Sequence, residues 1–123
     1  MFVLAVVLTV LLLLETLPSA VAGLTRARAG LTRLDGLTRL GLMEGRNLPV
    51  ASGLGAVHLA GSAAVIAGLW VPAVGAAGGG AEAAVFCWVL SRQLAYGDRG
   101  GKLGAYLLFA AMALAVLVTD ALR

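Results

Sequence analysis

The stretch FVLAVVLTVLLLLETLPSAVAG (residues 2–23) decides the fold, because it has two incompatible readings. An apolar run closed by the small residues Ala20 and Ala22 has the outline of a cleavable secretory signal. The same run, at 1.5 Å per residue, is also long enough to cross about 30 Å of hydrocarbon as a helix. Two features favour the membrane helix. No basic residue precedes the run, so the positive leader of a signal peptide is missing. Cleavage after Ala22 would also turn the arginine-rich segment behind it into a translocated tail, against the positive-inside bias. The expectation is a retained span, which makes Glu15 a carboxylate inside the bilayer.

The rest of the chain agrees with lipid as its solvent. Of 123 residues, 61% are hydrophobic and 12% charged, whereas soluble domains carry about 45–50% apolar and about 25% charged residues. Further apolar stretches run over 48–70, 73–95 and 103–122, beside the first at 2–22. Pro72 and Gly75 mark a tight turn between the second and third, so those two are antiparallel neighbours. The fold expected is all-α: one integral membrane four-helix bundle over 1–123, with a basic loop at 23–47. The single cysteine, Cys87, excludes an intrachain disulfide and a thiolate metal site, and the single histidine, His58, excludes bis-histidine haem within this chain.

Charge sets the direction. The first loop carries Arg26, Arg28, Arg33, Arg39 and Arg46, and the connection after the third span carries Arg92, Arg99 and Lys102. The other side has only Arg123. Both basic connections are therefore expected in the cytoplasm and both termini outside. This topology accounts for the basic balance without nucleic acid. Trp70 and Tyr96 suit interfacial anchors. The first loop also holds a weak repeat, GLTRARA, GLTRLD, GLTRLG (23–41), which predicts one or two short interfacial helices or serves simply as a basic topology signal. Projected as one helix, Leu24, Leu31, Leu34 and Leu42 share a face, with Leu37 and Leu40 opposite.

Small residues recur at steps of four in Ala56, Ala60, Ala64 and Gly68, and again in Gly75 and Gly79. Such ridges let membrane helices approach closely, here as a hairpin of the second and third spans or as an oligomer face. The ionisable residues matter more. Glu15, His58 and Glu82 lie within apolar spans at a similar calculated depth, and Arg92 lies near the inner end of the third. A charge near mid-bilayer costs about 2.5–3.5 kcal/mol on insertion scales, so such groups face the bundle interior and are partnered. Pro18 frees the Leu14 carbonyl near the same level. The four residues are candidates for a polar pocket that takes a quinone headgroup, another small polar molecule or a proton; the alternative is that they only bridge helices. Asp120 is expected to be solvated at the interface, and Cys87 to pack as a small apolar residue. No nucleophile, metal cluster or phosphate loop makes an enzyme of this chain alone.

The segment LGAVHLAGSAAVIAGLWVPAVGAAGGGAEAAVFCWVL (54–90), followed by RQLAYGDRG (92–100), resembles the DoxX-like family of small bacterial membrane proteins, over roughly residues 47–123. Gly68, Leu69 and Pro72 match that family's Gly-Leu-x-x-Pro turn, while His58 stands where an acid is common. The resemblance implies a four-helix bundle in the bacterial cytoplasmic membrane. It further implies an accessory or anchoring subunit of a quinone-linked redox system, with a partner subunit, quinone or lipid as its associates and no covalent cofactor. A proton-coupled or small-molecule carrier acting as a homo-oligomer, and a purely structural scaffold, are the alternatives.

Overall fold

The computed structural model describes residues 2–123 and is all-helical. Helix α1 spans Phe2–Thr25, α2 Arg28–Thr38, α3 Leu48–Ala67, α4 Pro72–Ala95 and α5 Gly101–Leu122, with a single 3₁₀ turn at Leu42–Glu44. The long helices α1, α3, α4 and α5 are each apolar enough to cross a membrane. Compared with the expected spans, the first runs on to Thr25. The second stops at Ala67, because Gly68–Trp70 belong to the turn whose N–H groups return to the last carbonyls of α3. Pro72 opens α4, where a missing N–H costs nothing.

The four long helices form an up-and-down ring in which α1 packs on α3, α3 on α4, α4 on α5 and α5 back on α1. Their shared core holds Leu12, Val65, Phe86, Val89, Ala113 and Val116. Phe86 stacks edge-on against Tyr106 and tilted against Phe109. Outward faces carry Val3, Leu14, Trp70, Leu107, Leu108 and Leu122, an apolar coat larger than soluble monomers expose.

Glycine sets how closely the helices approach. A methyl group at Gly23 would stand 2.6 Å from the Ala51 carbonyl oxygen and 2.9 Å from the Gly55 Cα, so α1 and α3 cross backbone to backbone. Ser62 Oγ donates to Thr16 Oγ1 at 2.7 Å on the same interface. These two contacts fix the antiparallel register.

The small-residue ridge needs correction. Ala56 and Ala60 point outward, whereas Ala64 and Gly68 meet Gly78 and Gly75 of α4 as a close hairpin requires; the buried face of α3 is Ala51, Gly55, His58, Gly61, Ser62 and Val65. Gly79 meets α5 at Ala113 and Leu117, not α3; Gly78 and Gly75 face α3 instead. Alanine and glycine occupy every side of α3, so their spacing could not select a face. Cys87, expected to be packed, is exposed on the outer side of α4.

The basic segment also departs from its projection. Arg26 and Arg39 adopt left-handed backbone angles (φ 54° for each), which break the segment into separate pieces. Asp35 Oδ1 then accepts from the Gly41 and Leu42 N–H groups at 2.9 and 3.2 Å and fixes the following turn. The resulting α2 folds back under α1 and α4, and its buried residues are Leu37 and Thr38. Leu37, placed opposite the apolar face by a continuous projection, is one of the core residues.

Candidate functional site

One end of the bundle carries α2 and the α4–α5 connection, and with them nearly all the basic residues. It is called here the basic end. The sequence candidates do not converge on one point there; they divide into three groups.

His58 and Glu82 meet. His58 Nδ1 lies 2.5 Å from Glu82 Oε2, across the α3–α4 interface. Glu82 is 0% exposed and His58 6%. The space for the carboxylate comes from Gly61: a methyl group there would collide with Glu82 Oε1 and come within 2.9 Å of its Cδ. Oε1 itself has no hydrogen-bond partner among the described residues. Phe86 covers the pair from one side, its ring centroid 5.5 Å from that of His58. With Nδ1 turned to the carboxylate, Nε2 is the ring nitrogen left to accept or release a proton.

Glu15 does not join them. The register set by Gly23/Gly55 and Thr16/Ser62 puts Ala20 beside His58, so Glu15 is displaced by five residues, about 7.5 Å along the axis. Its helix, α1, also sits diagonally across the ring from α4. Glu15 instead accepts from Ser19 Oγ at 3.1 Å and from Arg33 Nη2 at 3.1 and 3.4 Å. Arg33 belongs to α2, so this ion pair fastens α2 to the bundle.

Arg92 is a second fastener. Its Nε donates to the Thr38 carbonyl at 2.5 Å, and its guanidinium stacks over Trp88 and Tyr96. It satisfies the last turn of α2 and does not touch Glu82. Arg39 of the same segment pairs with Asp98 at 2.5 Å and lies over Tyr96.

Between these groups lies a partly enclosed cavity of about 40 Å³, roofed by α2. His58 forms part of its wall, with Ser19, Arg33, Leu37, Val89 and Tyr106. His58 is thus the one residue that both bonds a fully buried carboxylate and faces this space. Outside it, between α2 and the start of α5, runs a wider groove of about 450 Å³. Arg33, Leu37 and Tyr106 line both.

At the opposite end Asp120 corrects another expectation. It is 3% exposed, seated against Gly68 and Gly75, which would both clash with it if they carried a side chain. Arg123 Nε approaches it to 3.5 Å, and Arg123 Nη2 donates to the Gly68 carbonyl at 2.6 Å. Two glycines of the α3–α4 turn make a niche that no local stretch of sequence reveals. Arg33, Tyr106 and Gln93, the last buried with both amide atoms unpartnered, also escaped the sequence reading. Arg33 carried a signal only as one of several arginines in the repeat.

Compared with protein-family models, with curated proteins and with solved structures, the chain finds no match.

A quinone headgroup can be tested against these walls. The donors suit it, because His58, Arg33 and Tyr106 all offer N–H or O–H groups to carbonyl oxygens. The volume does not: about 40 Å³ is well below the roughly 150 Å³ of an apolar cavity that admits benzene. A ring does not reach His58 with α2 in place. The space is large enough for a water molecule.

Proposed function

We propose that the protein is a multi-pass membrane protein of the DoxX-like type, an accessory subunit of a quinone-linked redox system, whose own contribution is proton exchange at the His58–Glu82 pair. The observation that carries this reading is the position of His58 between the buried Glu82 and the water-sized cavity at the basic end. An acid–imidazole pair in contact with water can take up a proton at Nε2 and share it with the carboxylate, which supplies or removes protons beside a partner that handles the electrons. The chain holds a single histidine and a single cysteine, which excludes bis-histidine haem and a thiolate cluster within it, and on this reading the electrons are handled by a partner subunit.

The topology proposed with it is the bacterial cytoplasmic membrane, with the basic end in the cytoplasm and both termini outside. Arg26, Arg28, Arg33, Arg39, Arg46, Arg92, Arg99 and Lys102 crowd one end, against Arg123 at the other. On this reading α2 is the interfacial helix, its exposed Arg28 and Thr32 facing headgroups. A proton-coupled carrier acting as a homo-oligomer is the second reading; the outward Ala56 and Ala60 favour it by offering a small-residue face free for a second copy.

Infrared difference spectroscopy of the membrane-reconstituted protein during a pH titration tests the proposal. A protonated-carboxyl band is expected that disappears in Glu82→Gln and shifts in His58→Gln. Spectra of wild type and Glu82→Gln that titrate identically would remove proton exchange from the pair.

A further inference from the structure

We propose that the groove between α2 and the start of α5 binds the phosphate headgroup of an anionic phospholipid. The proposal rests on the membrane reading above but not on the redox or proton role. Four observations lead to it. The first is charge: Lys102 and Arg33 line the groove, Arg33 being already paired with Glu15, and among the described residues no acidic side chain lines it. Lys102 enters none of the ion pairs of the described residues, and its ammonium lies across the groove from its own helix, 3.6 Å from where a Gly36 methyl would stand.

The second is the uncapped start of α5. Gly100 precedes it with no side-chain cap, as at the starts of α2, α3 and α4, but here the first residues, Gly101 and Lys102, line the groove. A phosphate at a helix N-terminus satisfies the first N–H groups and the helix dipole together. The third is Tyr106. The residue is only 5% exposed, it lines both the groove and the inner cavity, and its hydroxyl, which is not among the fully buried polar atoms, forms no hydrogen bond with any described residue. The ring is packed and its hydroxyl is left free to donate to a group that enters from the groove.

The fourth is the apolar remainder of the wall, built from Leu37 and Ala105. A free phosphate would leave that surface to water, whereas a phospholipid covers it with its glycerol and acyl chains while the phosphate meets the donors. A zwitterionic lipid offers the same phosphate but brings an ammonium toward Arg33 and Lys102, which disfavours it. The occupant is therefore an anionic phospholipid.

The test is native mass spectrometry of the full chain released from nanodiscs holding equal amounts of phosphatidylglycerol and phosphatidylcholine. Wild type is expected to keep phosphatidylglycerol selectively. Lys102→Gln should lower that retention roughly fivefold, the worth of one basic residue at an anionic lipid surface, and Tyr106→Phe should lower it as well. Lys102→Arg should restore it, which separates loss of the site from loss of the fold. Arg99→Gln, whose side chain bonds only the Asp98 carbonyl in its own turn, should behave as wild type. Equal retention of the two lipids, or unchanged retention in Lys102→Gln, overturns the proposal; so does displacement of the lipid by millimolar inorganic phosphate that then remains bound. Failure of the membrane reading looks different: the protein would not enter nanodiscs at all.

Discussion

Replacing Gly61 by alanine should destabilise this bundle by about 2–4 kcal/mol, although alanine is the better helix former by about 1 kcal/mol. The magnitude follows from what occupies the space. The three atoms nearest to a methyl group at position 61 all belong to Glu82: its Oε1, its Cδ at 2.9 Å and its Cγ at 3.0 Å. An exposed glutamate would swing aside at little cost. Glu82 is fully buried and held by His58 at 2.5 Å, so making room for the methyl group breaks the pair. Separating a buried pair costs about 3–5 kcal/mol, and the helix propensity of alanine returns only a small part of it. The sign should invert in a Glu82→Ala background, where the methyl group enters empty space and the substitution becomes neutral or stabilising by up to about 1 kcal/mol. The assay is reversible unfolding of detergent-solubilised protein by dodecyl sulfate, followed by helical circular dichroism, on wild type, the two single variants and the double variant. A coupling energy of about 3 kcal/mol is expected from the cycle. If Gly61→Ala costs the same with and without the Glu82 carboxylate, the reasoning is refuted.

Three other outcomes follow from the geometry. Gly23→Val should cost about 1–3 kcal/mol in the same unfolding assay by forcing α1 from α3, whereas Gly53→Val, a position with nothing within 4 Å, should stay within about 0.5 kcal/mol. Arg92→Ala removes a charged hydrogen bond from the last turn of α2; trypsin cleavage at Arg33 and Arg39, read by gel, should accelerate about tenfold, the equilibrium worth of such a bond. Cys87, exposed on the outer face of α4, should resist maleimides in intact membranes, where a thiol facing hydrocarbon does not ionise, and react once the membrane is dissolved by detergent and denaturant.

The long helices were legible because hydropathy reports directly on which segments avoid water. The His58–Glu82 contact was also within reach: α3 and α4 join by a short turn, and residues nearly equidistant from such a turn must come close. Glu15 was not legible. Its partner, Arg33, arrives only because the chain turns back at Arg26, and left-handed backbone at an arginine leaves no mark in the sequence. That break also explains why a continuous projection put Leu37 on the wrong side. The small-residue ridge held at Ala64 and Gly68 and failed at Ala56 and Ala60 for a different reason. When alanine and glycine surround a helix, the packing face is chosen by whatever larger groups need space, here the carboxylate over Gly61. Asp120 repeats the lesson at the other end, where Gly68 of the turn and Gly75 of α4 jointly form its niche.

The carboxylate over Gly61 has a consequence for descent. A side chain at position 61 is costly while position 82 keeps its acid, and the acid at 82 is costly without a hydrogen-bonding partner at 58. Substitutions at these three sites should therefore arrive together or in an order that releases the acid first. The arrangement His-x-x-Gly, with a glutamate 21 residues beyond the glycine, is a signature that general hydropathy does not dilute. In kin of this chain, an acid at position 82 is therefore expected together with glycine at 61 and imidazole at 58.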